Sequence, residues 1–110
     1  MNGYKLLEDA TRLLGFEQLD ERVKIVGLQF IAAVFEEMGY AIPKSLSERL
    51  PLLGDGERLT ALYGIAMHIA NISGEGDMRA AFSETYNRRK ATAKGRKDRV
   101  KNSIFKGEGL

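Results

Sequence analysis

The sequence predicts an all-α fold, a compact bundle of four main helices followed by a basic C-terminal arm. Three observations carry this expectation. Leu, Ala, Met and Glu dominate over the β-branched and aromatic residues that favour strands. Apolar positions recur at three- and four-residue steps in successive stretches, and glycines stand at the ends of those stretches. A chain of 110 residues, 44% hydrophobic and 29% charged, has material for one modest core and little surface to spare for a deep cleft. The division expected is a helical domain over residues 1–93 and an arm over 94–110.

The first helix is expected over about residues 3–14, where Leu6, Leu7, Ala10, Leu13 and Leu14 share helical spacing and Gly15 supplies a C-terminal cap. Asp20 is a good N-cap for the second helix. In that helix the apolar or small residues Val23, Ile25, Val26, Gly27, Leu28, Phe30, Ile31, Ala32, Ala33, Val34 and Phe35 cover almost the whole circumference, and Gly39 ends it. A helix apolar all round is central in its own fold or shared with a neighbour, and so small a domain has few elements to surround it. Self-association is therefore expected, with Ile25, Leu28, Phe30, Ile31 and Phe35 as the interface.

Ala41-Ile42-Pro43 sets an extended entry into Ser45-Leu46-Ser47-Glu48, which reads as a capping box opening a short helical turn before Pro51. Leu46, Leu50, Leu52 and Leu53 are expected to lay this connector over the core. Asp55 is the expected cap of a third helix through about Ile72, with Leu59, Leu62, Ile65, Ala66, Ile69 and Ile72 facing inward and the small Ala61 and Gly64 admitting another helix. After the break Ser73-Gly74-Glu75-Gly76, Asp77 is the expected cap of a fourth helix through Ala80, Ala81, Phe82 and Tyr86 to at least Lys90, interrupted at Gly95.

Little in the chain suggests catalysis. The absence of cysteine excludes disulfides, thiolate metal sites and a Cys nucleophile. The single histidine, His68, has no second histidine to complete a metal set and reads as a hydrogen-bonded or part-exposed structural residue. Gly54-x-Gly56 and Gly74-x-Gly76 lack the residues that complete a nucleotide-binding loop, and no Gly-x-Ser-x-Gly elbow is present. The reading is a non-enzyme with no cofactor and no metal. No stretch has the apolar length of a signal peptide or membrane span, so synthesis in the cytoplasm and no membrane contact are expected.

Charge is distributed unevenly. Arg88, Arg89, Lys90, Lys94, Arg96, Lys97, Arg99, Lys101 and Lys106 face only Asp98 and Glu108 in residues 88–110, a local charge of +7, whereas residues 1–87 carry 8 Lys/Arg against 13 Asp/Glu, a net −5. An acidic body with a cationic arm is the asymmetry of a protein that reaches for an anionic partner. Phosphate neutralisation would suffice for a small nucleic-acid-binding or regulatory protein. Ile104 and Phe105, adjacent apolar residues in an otherwise polar arm, point instead to an anchor on a protein surface.

The order of motifs resembles the small head-tail connector, or DNA-packaging adaptor, proteins of tailed bacteriophages and prophages. The resemblance spans most of the chain. It rests on Leu6-Leu7 through Leu13-Leu14-Gly15, Ser45-Leu46-Ser47-Glu48, Ala61-Leu62-Tyr63-Gly64-Ile65-Ala66-Met67, Gly76-Asp77 and Tyr86-Asn87-Arg88-Arg89-Lys90. Family members often have a proline between the leucine and tyrosine of the third-helix motif. Here Leu62 runs directly into Tyr63, which implies a helix that starts earlier or runs straighter. The resemblance implies a virion protein of the neck. Its subunits would form a homo-oligomeric, dodecameric ring beneath the portal protein, join it to the downstream neck or tail-completion protein, and let DNA pass with at most weak non-specific contact. Arg88, Arg89, Lys90, Lys94, Arg96, Lys97, Arg99, Lys101, Ile104 and Phe105 are the residues expected at the portal or DNA.

Overall fold

The computed structural model describes the backbone of residues 1–109 and the side chains through Thr92. Four helices follow in order: α1 (Gly3–Leu13), α2 (Glu21–Met38), α3 (Asp55–Ile72) and α4 (Gly76–Gly109). The all-α bundle expected from the sequence is the architecture observed. Among the described residues, β-type pairing is confined to one isolated bridge between Asn2 and Arg49.

Each helix end has a local chemical cause. The Asn2 side chain accepts the Lys5 N–H at 3.1 Å at the start of α1, and the Asp20 side chain accepts the Arg22 N–H at 2.8 Å at the start of α2. Both helices close on a left-handed glycine. Gly15 (φ 88°) and Gly39 (φ 81°) place their N–H groups on Arg12 and Glu36, while Phe16 and Tyr40 reach back to Thr11 and Phe35. This paired closure satisfies carbonyls that the helix itself leaves without donors. Two expected caps lie inside their helices. Gly54 is the N-cap of α3 and Asp55 lies inside the helix; likewise α4 begins at Gly76, with Asp77 in its first turn. In those first-turn positions both carboxylates sit where the helix dipole favours negative charge.

The connector between α2 and α3 makes a single turn at the expected place, with Glu48 N–H donating to Ser45 O at 3.4 Å, but it does not extend into a helix. Pro51 disfavours helical backbone at Leu50, and the segment's backbone is drawn to the start of α1: Gly3 N–H and Tyr4 N–H donate to Leu46 O at 2.8 and 3.3 Å, and Leu50 N–H donates to Met1 O at 3.0 Å. Glu48 completes the turn by accepting the Lys44 N–H rather than that of Ser45. A Cβ on Gly3 would stand 2.9 Å from the Leu46 side chain, so glycine is what lets the connector approach this closely. Leu46, Leu50 and Leu53 pack on the core, but Leu52 is fully exposed.

The central helix is α3, not α2. It contacts each of the other three helices and buries Ala61, Leu62, Gly64, Ile65, Ala66, Ile69 and Ala70. Leu6, Leu7, Ala10 and Leu14 of α1 and Val23, Ile31, Val34 and Phe35 of α2 pack around it, joined by Leu50 and Tyr86. At Gly64 an added Cβ would lie 2.7 Å from the Tyr86 ring and 2.9 Å from Val34. That missing side chain lets α2 and α4 meet on α3. The helix also runs without interruption through Leu62 and Tyr63, as the absence of proline predicts.

The fourth helix does not stop at Gly95. One glycine costs only about 1 kcal/mol in a helix, and Ala91, Ala93, Lys94, Arg96 and Lys97 around it are strong helix formers. The expectations for the Lys94, Arg96, Lys97, Arg99, Lys101, Ile104 and Phe105 side chains lie outside the described residues.

Gly64→Ala is expected to destabilise the protein by about 1–3 kcal/mol, because overpacking against an aromatic ring outweighs alanine's helix preference. Gly76→Ala, with nothing within 4 Å, is its control and should be neutral or slightly stabilising. Urea denaturation read by circular dichroism distinguishes the two.

Candidate functional site

Two surfaces hold the residues singled out by the sequence. The first is the basic junction on α4. One turn beyond the buried Tyr86, Arg89 and Lys90 turn back toward the bundle while Arg88 faces outward, as spacing around a helix dictates. Arg89 Nε donates to Thr60 Oγ1 at 3.0 Å and Nη2 to Gly56 O at 3.1 Å, with the guanidinium carbon 5.9 Å from the Tyr63 ring centroid. Lys90 pairs with Glu37 of α2 and sets its ammonium 4.4 Å from the Tyr86 ring centroid. Both cations expected to meet a portal or DNA are thus engaged by their own chain. Of Arg88, Arg89 and Lys90, only Arg88 has a side chain that makes no ion pair or hydrogen bond among the described residues.

These residues border an open groove of about 1140 Å³ between the end of α2, the start of α3 and the middle of α4. Its lining includes the acidic Glu36, Glu37 and Glu57 and the basic Arg88, Arg89 and Lys90, of which Glu37, Glu57, Arg89 and Lys90 make hydrogen bonds or ion pairs between elements. Tyr40 donates to the Glu57 carboxylate, and burial together with that carboxylate pushes its hydroxyl up to about 12. Tyr86 is also pushed up, first by burial and then by the nearby Glu37 charge; its hydroxyl is buried without a hydrogen-bond partner. Mixed charge and internal pairing make the groove's walls a tie between helices. Among the described residues, no group of three or more His, Asp or Glu side chains is placed to hold a metal ion.

The second surface is the outer side of α2. Ile25 is 79% exposed, Leu28 and Phe30 are half-buried, and Ile31 and Phe35 are 0% exposed. Ile31 and Phe35 therefore drop out of the expected subunit interface, because the core of their own chain already covers them. Phe30 is also partly engaged. Its ring stacks on His68 at 5.2 Å between centroids and 13° between planes. Ile42, Met1 and Tyr4 add exposed apolar surface elsewhere, on the connector and the start of the chain.

No protein-family model, curated protein or solved structure matches the chain at a significant level. The site must be read from its own geometry. No helix among the described residues is long and apolar enough to cross a membrane.

Sequence spacing finds α2's apolar circumference and the basic junction, but it misses what Glu37 and Gly64 do. Glu37 is separated from Lys90 by 53 positions, and nothing in one sequence links such distant residues. The small Gly64 was a visible signal for a close approach, though not for which side chain fills the space. His68 is part-exposed, one of the two forms expected; its Nε2 is buried with no hydrogen-bond partner, and its ring stacks on Phe30.

Burial pulls the His68 imidazole below its ordinary value of 6.5, against the opposing pull of the Glu37 charge. The unfolded chain therefore takes up the histidine proton first. Stability contributed by neutral His68 is fully present above about pH 6.5 and declines as pH falls through that value toward the folded pKa. His68→Phe, which keeps the stack on Phe30, is expected to flatten the urea midpoint between pH 7.5 and 5.5 relative to the parent chain.

Proposed function

We propose that this protein is a structural subunit of a phage head-tail connector. Its copies form a ring below the portal protein, join the capsid to the next neck or tail component, and leave a channel for DNA. The reading is non-enzymatic and places the protein in the virion neck. The observation that carries it is the outer side of α2, where Ile25 is 79% exposed with Leu28 beside it on the helix. A ring subunit needs different surfaces for its two neighbours, and an apolar helix side that its own fold does not cover supplies one.

The ordered motifs from Leu6-Leu7 to Tyr86-Asn87-Arg88-Arg89-Lys90 support the family reading, and the charge asymmetry supports the role of the last helix. With Arg89 and Lys90 engaged internally, Arg88 and the sequence beyond it are the groups left for the portal. An acidic partner surface is the chemistry that fits them.

The decisive measurement is native mass and negative-stain imaging of the protein mixed with portal. Rings on portal are expected, and removal of residues 95–110 should weaken portal binding at least roughly tenfold at low salt, as loss of several charge contacts requires. A truncated protein that still binds portal with unchanged affinity would remove the docking role of the arm. No association of the intact protein with portal would remove the connector reading.

A further inference from the structure

The outer side of α2 carries an order of residues that its apolar content alone does not require. Arg22, Ile25, Gln29, Ala32, Ala33 and Glu36 recur at steps of three and four and fall on the side away from the core. Arg22, Gln29 and Glu36 are exposed, Ile25 is 79% exposed, and the two alanines are half-buried. The order is symmetric about Gln29: seven residues before it stands a cation and seven after it an anion; four before it stands isoleucine and four after it alanine.

We infer that two copies of this chain pair through α2, antiparallel, about a twofold axis at Gln29. In that arrangement Arg22 of each copy meets Glu36 of the other, and Ile25 of each fits over the small Ala32 and Ala33 of the other. The two Gln29 amides face one another at the axis, where each can donate to and accept from its mate. A helix segment from Arg22 to Glu36 spans about 21 Å, enough for a two-ended contact. Charge selects the occupant. A stripe positive at one end and negative at the other is matched by a stripe of reversed order, which is this same stripe turned around.

Neither end is strongly committed within the chain. Arg22 lies 3.3 Å from Asp20, but the pair is open to solvent, with side chains 68% and 46% exposed, and such pairs contribute little. Glu36 makes no ion pair among the described residues. One isoleucine per copy buries little apolar area, so the pair forms reversibly with concentration. It occupies the Ile25 side and cannot coexist there with a ring contact through the same residue. The pair is thus a state of the free protein, and it stands or falls separately from the connector reading.

Sedimentation equilibrium of the full chain without portal tests the pair, with circular dichroism as the check on folding. Arg22→Glu and Glu36→Arg should each weaken dimerisation at least roughly tenfold, because each puts like charges together at both ends of the contact. The double variant Arg22→Glu/Glu36→Arg should restore it. Since the chain has no cysteine, Gln29→Cys should yield a covalent dimer with a short bifunctional thiol reagent, while Glu84→Cys on the exposed part of α4 should not. A protein monomeric at all concentrations overturns the inference. A dimer that neither reversal weakens, or that the double variant fails to restore, overturns it equally.

Discussion

The architecture depends on a missing side chain at Gly64. Without a Cβ there, the ring of Tyr86 and the methyl groups of Val34 reach the backbone of α3 together, and three helices converge on one turn. Position in the chain then becomes geometry at the surface. Tyr86 anchors α4, and the residues one turn later inherit its orientation: Lys90 lands on Glu37, and Arg89 lands on Thr60 and the carbonyl of Gly56. A bulkier residue at 64 would push α4 outward and separate these partners. The polar ties near the groove are thus consequences of an apolar fit, and the same fit decides which cation of the basic run faces solvent.

Helix number, order and most boundaries are legible in the sequence because their causes are local. Asp20, Gly15 and Gly39 act within one turn of the residues they cap, and glycine at a left-handed position leaves few alternatives. Misreadings arise where distant parts compete for the same groups. Ser45-Leu46-Ser47-Glu48 has the pattern of a helix start, yet the N–H groups opening α1 claim the Leu46 carbonyl and Pro51 prevents continuation. Likewise the apolar circumference of α2 resembles a central helix. The position at the centre goes to α3, whose alanines and glycine permit close approach on several sides, while α2 keeps Ile25 in solvent.

The candidate surfaces were less legible than the fold. A run such as Arg88-Arg89-Lys90 reads as three equivalent charges, but helix rotation assigns one to solvent and two to internal partners. Burial similarly splits the apolar residues of α2 into those already used and those still uncovered. One sequence holds both sets with the same periodicity. Only the packing of neighbouring helices separates them, and that packing depends on contacts between residues far apart in the chain.

The bonds joining the connector to the start of α1 also have a kinetic side. With Leu50 N–H on Met1 O and Gly3 N–H on Leu46 O, the segment containing α1 and α2 becomes a loop closed at its base. Closing a loop of that length costs conformational entropy that the contacts at its base must offset. Peeling α1 away from the bundle must likewise break the base of the loop. The connector is therefore a clasp on the first half of the chain, and the slowly exchanging amides should include those of Gly3 and Leu50 as well as the centres of the helices.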